Sequence, residues 1–174
     1  AISADGEYIT VGTSGWDDEV YLFDKDSSTP LWSYTTGYEV NLIAISADGE
    51  YIAAGSAGDK VDQFARNSGT PLWSYTTENY VWSVAISANG EYIAVGSAGP
   101  PTYDHKVYLF DKDSSTPLWS YETGSWLYSV AISADGEYIV AGSSDDKVYL
   151  FDKDSSTPLW SYSIESHVWQ LAIS

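Results

Sequence analysis

Short stretches of alternating apolar and polar residues follow one another along the chain, separated by Gly, Asp, Ser and Pro. Each stretch is rich in Val, Ile, Tyr, Trp and Thr, a composition typical of β-strands bounded by turns. No segment has a useful helical period, so the pattern predicts an all-β protein. One representative unit contains VWSVAIS at 81–87, YIAVGS at 92–97, KVYLFD at 106–111 and PLWSYET at 117–123.

This four-strand unit repeats along the sequence. A segment reading AIS, Ala, Asp or Asn, then Gly-Glu-Tyr-Ile begins at residues 1, 44, 85 and 131, and AIS alone begins again at 172. A period near 42 residues with four strands per unit is typical of a β-propeller, in which each unit forms one antiparallel blade. We therefore predict a single β-propeller domain over 1–174, with blades at about 1–43, 44–84, 85–130 and 131–171.

Two segments of the repeat resemble known propeller families. SADGEYIVAGSSDDKVYLFD at 133–152 resembles the Trp-Asp repeat, in which a Gly-containing turn, a Gly-Ser pair and a strand ending in Asp follow one another. DKDSSTPLWSY at 24–34 resembles the tryptophan-docking segment of pyrroloquinoline-quinone-type propeller repeats. The resemblance covers essentially the whole chain. It implies the propeller fold and offers a quinone-dependent dehydrogenase as the enzyme alternative.

Catalysis has little support in the residues themselves. The two histidines, His105 and His167, have no Cys partner and no convincing Ser-Asp arrangement. Likeness of fold does not transfer activity. We therefore expect a protein that is not an enzyme, with no cofactor and no bound metal.

The segment HVWQLAIS at 167–174 has the pattern of a first strand, whereas the first unit has only AIS at 1–3 in that place. We expect this closing strand to complete the first blade and displace residues 1–3, since such strand exchange removes an open sheet edge. The completed blade can belong to the same chain, giving four blades, or to a second copy, giving eight. Because four blades demand a much sharper wedge angle, we predict a two-fold symmetric homodimer that forms an eight-bladed ring.

Several recurring residues have structural interpretations. A tryptophan recurs in each outer strand and is predicted to dock on the neighbouring blade, burying up to ~250 Å². A glycine recurs in each second strand and is predicted to make room for that docked tryptophan. The tryptophans are Trp32, Trp73, Trp119 and Trp160, and the glycines are Gly12, Gly55, Gly96 and Gly142.

The acidic turn of the outer hairpin resembles the start of a calcium loop. Asp24 and Asp26 begin it in the first copy, but Ala65 and Asn67 replace them in the second. An EF-hand loop also needs a Gly at its sixth position and a Glu at its twelfth, and neither is present. Since the second copy keeps the following TPLWSY without the acids, the turn is predicted to be structural.

Charge narrows the range of partners. The chain has 25 Asp and Glu against 7 Lys and Arg, a net charge of −18. Such a surface repels phosphate, so we expect neither nucleic acid nor a membrane as a partner. The acidity fits a secreted or cell-surface protein, and it equally fits a salt-adapted one. The absence of Cys from the sequence excludes disulfides, a thiolate nucleophile and Cys-bound zinc.

The four copies differ chiefly in two connections, which an up-and-down blade places on one face of the ring. The four tryptophans outside the docking set fall there, with tyrosines and acids. Aromatic rings beside carboxylates suit sugars or cationic amines. We therefore predict a binding scaffold whose variable-loop face takes a glycan, an amine or a peptide. The alternative is an inert structural or engineered scaffold. The candidates are Trp16, Asp17, Tyr38, Asn41, Tyr80, Trp82, Tyr103, Trp126, Tyr128, His167 and Trp169.

Overall fold

The structure is a computed structural model that describes residues 1–102 and 105–174. The described residues form fifteen β-strands and no helix. The strands build four consecutive antiparallel sheets, which we call blades 1 to 4. Blade 1 comprises β1 (Tyr8–Gly12), β2 (Glu19–Asp24) and β3 (Trp32–Thr35), and blade 2 comprises β4 (Val40–Ile45), β5 (Tyr51–Ser56), β6 (Lys60–Ala65) and β7 (Trp73–Thr76).

Blades 3 and 4 repeat the arrangement of blade 2. Each blade is a meander in which consecutive strands pair in chain order, so the predicted all-β propeller unit is confirmed. Blade 3 comprises β8 (Asn79–Ile86), β9 (Tyr92–Pro101), β10 (Lys106–Asp111) and β11 (Trp119–Glu122). Blade 4 comprises β12 (Leu127–Ile132), β13 (Tyr138–Ser143), β14 (Lys147–Asp152) and β15 (Trp160–Ser163).

Blade 1 differs from the others at its inner edge. In blade 2 the inner strand β4 pairs with β5, with Ile45 opposite Ile52. In blade 1 the equivalent contact among the described residues is an isolated bridge between Ile2 and Ile9. The first sheet therefore has three strands and a short N-terminal extension, and its inner edge is largely open.

The turns between strands one and two are built by local hydrogen bonds. In the first copy, Ser3 Oγ donates to Asp5 Oδ1 over 2.6 Å, and the Glu7 N–H donates to the same carboxylate oxygen over 3.0 Å. Gly6 follows Asp5 with a φ of 74°, a conformation that glycine adopts at little cost. The same bonds recur in the other three copies, which explains the near-identity of this turn.

The acidic outer hairpin turn is also held by its own side chains. Asp24 Oδ1 accepts a hydrogen bond from the Asp26 N–H over 2.9 Å, and Ser27 Oγ accepts one from the Thr29 N–H over 3.0 Å. The equivalent acids at 111 and 152 make the same bond. The carboxylate that resembles a calcium ligand thus serves the turn.

The blades pack through one repeated contact. The indole N–H of each of three tryptophans donates to a backbone carbonyl of the following blade, and its ring lies beside a buried phenylalanine there. Trp32, Trp73 and Trp119 donate to the carbonyls of Arg66, Lys112 and Lys153 over 2.8, 2.8 and 2.7 Å. Their rings lie 5.3, 5.2 and 5.2 Å from those of Phe64, Phe110 and Phe151. The hydrophobic core therefore lies between blades, in three equivalent layers.

The strand glycines make room for a different neighbour from the one predicted. A Cβ on Gly55 would lie 2.3 Å from Val81 Cγ1, at the start of the next blade's inner strand. The expectation that the docked tryptophan is the partner is therefore wrong: the inner strand of the next blade crosses the glycine instead. The same relation pairs Gly12 with Val40, Gly96 with Leu127 and Gly142 with Val168.

Replacing Gly55 with alanine is expected to lower the free energy of unfolding by about 1–2 kcal/mol, because the added methyl overpacks the contact with Val81. Urea denaturation followed by circular dichroism measures the change. In a Val81→Ala background the same substitution should cost much less. An equal cost in both backgrounds would contradict the assigned contact.

Candidate functional site

A groove with a volume of about 600 Å³ lies on the variable-loop face, between the loops of blades 1 and 2. The β1–β2 loop and the β5–β6 loop form its two sides. The β3–β4 connection and the start of β8 complete it. Its lining residues are Gly15, Asp18, Tyr38, Glu39, Ala57, Gly58, Asp59 and Tyr80. Of the candidates predicted from sequence, this groove brings together Tyr38 and Tyr80.

Two aspartates fix the loops that form the groove. Asp18 and Asp59 both adopt the left-handed backbone region, with φ of 47° and 59°, and Asp tolerates this region better than most residues. The Asp18 carbonyl accepts a hydrogen bond from Thr36 Oγ1 over 2.6 Å, and the Asp59 carbonyl accepts one from Thr77 Oγ1 over 2.9 Å. The loops are therefore held by these carbonyl contacts, and the Asp18 carboxylate adds one more, since its Oδ1 accepts a hydrogen bond from the Gly15 N–H over 3.2 Å.

The groove is negatively charged. Its described lining residues include the carboxylates of Asp18, Glu39 and Asp59 and no Lys or Arg. Asp59 Oδ1 is buried without a hydrogen-bond partner among the described residues, and burial raises the pKa of the Asp59 carboxyl. The nearest basic residue in sequence, Lys60, lies 3.1 Å from Asp62 instead. The site thus holds negative charge that the described part of the chain does not neutralise.

Aromatic side chains flank this charge. The Tyr38 ring covers Gly58, where a Cβ would lie 2.2 Å from Tyr38 Cδ2. Tyr38 is 60% exposed and Tyr80 is 36% exposed, so both present ring surface to the groove. Trp16, next to Gly15 at the tip of the β1–β2 loop, is fully exposed. Asp17 is exposed beside it but does not line the groove.

Two other predicted residues form a separate aromatic pair. The Trp82 and Trp126 rings lie 6.2 Å apart. The Trp82 indole N–H donates to the Ala98 carbonyl over 2.9 Å, and the His105 ring lies 5.9 Å from that of Trp126. These contacts join the connections around blade 3, and neither tryptophan is among the residues that line the groove.

The remaining candidates lie near the inner strand of blade 4 or stabilise the inner strands. Tyr128 stacks on Trp169 with ring centroids 4.4 Å apart, and His167 Nε2 lies 3.9 Å from Asp146 Oδ1. Asn41 Nδ2 donates to the Val81 carbonyl over 3.0 Å and so joins two neighbouring inner strands. The predicted candidate Tyr103 lies outside the described residues.

Sequence reasoning did not include Asp59 among the candidate site residues. The available signal was an aspartate directly before the third strand in copies one, two and four, at Asp18, Asp59 and Asp146. All three have a positive φ. The recurrence therefore reflects a backbone requirement, which concealed the contribution of two of these carboxylates to one groove.

Metal-binding clusters and membrane-spanning helices are both absent from the described residues. Within residues 1–102 and 105–174, no group of three or more His, Cys, Asp or Glu side chains could hold a metal ion. In the same residues, no helix is long and apolar enough to cross a membrane.

Comparison with known proteins gives the family. No curated protein matches the chain. Residues 4–169 match the family described as outer membrane protein assembly factor BamB. The match agrees with the resemblance to pyrroloquinoline-quinone-type repeats. Because it spans nearly the whole chain, and the blades have the arrangement that the repeats predict, the chain belongs to the outer membrane protein assembly factor BamB family of β-propeller repeat proteins.

Proposed function

We propose that the chain is a non-enzymatic binding scaffold whose groove takes a cationic group, as on a basic peptide or an organic amine. The observation that carries this proposal is the set of carboxylates of Asp18, Glu39 and Asp59 beside two exposed tyrosine rings. A carboxylate cluster attracts a cation, and the face of a tyrosine ring adds a cation–π contribution. Neutral sugars would use the same rings but would gain less from the charge.

A peptide is the preferred ligand for two reasons. The groove is open and runs between loops, so it suits a side chain carried by a larger molecule. The family description, an assembly factor for outer membrane proteins, also points to a protein partner. Trp16 stands exposed next to Gly15 of the lining and would extend the contact.

The charge of the groove disfavours the quinoprotein alternative. Pyrroloquinoline quinone carries three carboxylate groups, which the carboxylates of Asp18, Glu39 and Asp59 would repel. The described lining offers no Lys or Arg that would neutralise the carboxylates of the quinone. A dehydrogenase built on this groove would therefore lack the contacts that hold its cofactor.

Calorimetric titration with a hexalysine peptide tests the proposal. Changing Asp18 to Asn and Glu39 to Gln together is expected to weaken binding about 2- to 30-fold, because two partly exposed charges contribute roughly 0.2–1 kcal/mol each. Asparagine also tolerates the left-handed backbone at residue 18. The matched control changes Asp113 and Asp154 to Asn, which alters the net charge equally in the exposed turns of the opposite face.

The outcomes separate the alternatives. Equal weakening by the groove and control variants would show that hexalysine responds to net charge only, and would overturn the groove. Binding of a neutral probe such as cellotetraose without hexalysine binding would replace the cationic ligand by a glycan. Binding of neither probe would favour a scaffold without a ligand at this face.

A further inference from the structure

We infer that two copies of this chain close one eight-bladed ring, with blade 4 of each copy packed on blade 1 of the other. The two ends of the four-blade arc carry this inference. It concerns a different surface from the ligand groove, and it stands whether or not the groove binds a cation.

Blade 4 presents a packing face that no described blade covers. In blades 1 to 3 the face toward the following blade carries Val, Trp and Tyr at equivalent positions, with Leu in blades 1 and 3 and Gln63 in blade 2, and its valines are fully buried. In blade 4 the equivalent Trp160 is 49% exposed and Tyr162 is 67% exposed. Val148, Trp160 and Tyr162 line an apolar depression there. Such a face on a repeat protein marks an interaction site.

Blade 1 presents the complementary face. In blades 2 to 4 the face toward the preceding blade carries a fully buried Ile and Phe, as with Ile139 and Phe151 of blade 4. In blade 1 the equivalent Ile9 and Phe23 are only partly buried, and Val11 is 39% exposed. Each end of the arc therefore carries one half of a contact that the chain makes three times internally.

The internal contacts specify how the two halves fit. Because Trp119 donates to the Lys153 carbonyl and lies beside Phe151, Trp160 should donate to the Lys25 carbonyl of the second copy and lie beside its Phe23. The backbone contacts extend in the same way. The N–H groups of Ala4, Ala47 and Ala88 each donate to the equivalent alanine of the next blade over 2.9–3.0 Å. The Ala134 N–H would continue this row to Ala4 of the second copy.

The segment 168–174 already lies where an inner strand of the following blade belongs. Val168 crosses Gly142 as Val40 crosses Gly12. The Leu171 N–H donates to Ser129 Oγ over 3.2 Å, as the equivalent Val130 N–H donates to Ser83 Oγ over 2.9 Å. The segment pairs with no described strand of its own chain. We infer that it pairs with β1 of the second copy and displaces residues 1–3.

The geometry of the single chain favours a second copy over closure on itself. The Trp–Phe ring distance is 5.2–5.3 Å at all three interfaces, so each blade packs on the next in the same way. After these three contacts, the outward faces of blade 1 and blade 4 remain exposed. Closure within one chain would require blade 4 to pack on blade 1, and the exposed Trp160 and Val11 show that it does not, whereas a two-fold partner buries both end faces.

Light scattering on the purified 174-residue chain tests the assembly. The expected mass is twice the chain mass of 19.0 kDa. Trp160→Ala should shift it to the single-chain mass at micromolar concentration, because the residue packs on little of its own chain. Leu118→Ala, which shortens an exposed side chain of blade 3 outside both end blades, should leave the pair intact. A single-chain mass for the unaltered sequence would overturn the inference, and so would a ladder of larger assemblies.

Cysteine cross-linking tests the strand exchange. The chain has no Cys, so any disulfide that forms must join the two introduced cysteines. By the register of Ile45 and Ile52, Ile173 should face Ile9 of the second copy. Oxidising a variant with Ile9→Cys and Ile173→Cys is expected to give a covalent pair of chains on a non-reducing gel. The matched variant with Ile2→Cys and Ile9→Cys reports the intrachain bridge. A 9–173 disulfide formed only within one chain would overturn the exchange.

Discussion

Replacing Trp73 with alanine is expected to lower the free energy of unfolding by about 3–5 kcal/mol, the usual range for removing a large packed aromatic side chain. The Trp73 ring lies 5.2 Å from that of Phe110 in the next blade. Its indole N–H also donates to the Lys112 carbonyl over 2.8 Å. One substitution thus removes both the packing and the hydrogen bond that join blades 2 and 3. Urea denaturation followed by circular dichroism measures the loss.

Two variants separate the contributions of Trp73. Trp73→Phe keeps an aromatic ring but loses the indole N–H, so it should cost clearly less than the alanine variant. Trp16→Ala removes a tryptophan that is fully exposed, and should change the free energy of unfolding by less than about 0.5 kcal/mol. If Trp73→Ala cost no more than Trp16→Ala, the repeated tryptophan would not be what holds the blades together.

The strands could be predicted because their signals are local. Alternation, β-branched residues and turn residues placed each strand to within a few residues. The fourth strand of the third unit, predicted from 117, begins at Trp119. The two preceding residues belong to the turn, where the Leu118 N–H donates to the Leu109 carbonyl over 2.8 Å. The repeat period supplied the rest, since identical units form identical blades.

Contacts between residues of neighbouring blades were harder to predict, because they depend on how one sheet is shifted and rotated relative to the next. Sequence reasoning paired the strand glycines with the docked tryptophans, but Gly55 is crossed by Val81. Both residues recur in every copy, so recurrence alone could not distinguish the two partners. The glycine and the tryptophan lie in different strands of the blade, and only the stacking shows which side chain crosses which strand.

The candidate site could be predicted only as a face. The differing connections identified Tyr38 and Tyr80, which the structure brings to one groove. They did not distinguish these residues from Trp82 or Tyr128, which lie in separate aromatic contacts. Whether a candidate side chain lines the groove or lies elsewhere depends on which loop it packs against. For Tyr38 that loop is the one containing Gly58, in the following blade.

Replacing Gln63 with leucine is expected to raise the free energy of unfolding by about 2–3 kcal/mol. Gln63 is fully buried in the third strand of blade 2, at the place that Leu22 and Leu109 occupy in blades 1 and 3. Neither its Nε2 nor its Oε1 has a hydrogen-bond partner among the described residues. An unsatisfied buried amide costs roughly 1–3 kcal/mol, and leucine of similar size adds apolar burial.

The reverse substitution gives the matched control for this prediction. Leu109→Gln places an amide in the equivalent layer between blades 3 and 4, where Leu109 is fully buried, and should lower the free energy of unfolding by a comparable amount. Urea denaturation of the two variants and the unaltered chain gives both changes on one scale. If Gln63→Leu instead lowered stability while Leu109→Gln did so as expected, the Gln63 amide would have to be hydrogen-bonded in solution. The layer between blades 2 and 3 would then differ from its two neighbours in hydration as well as in sequence.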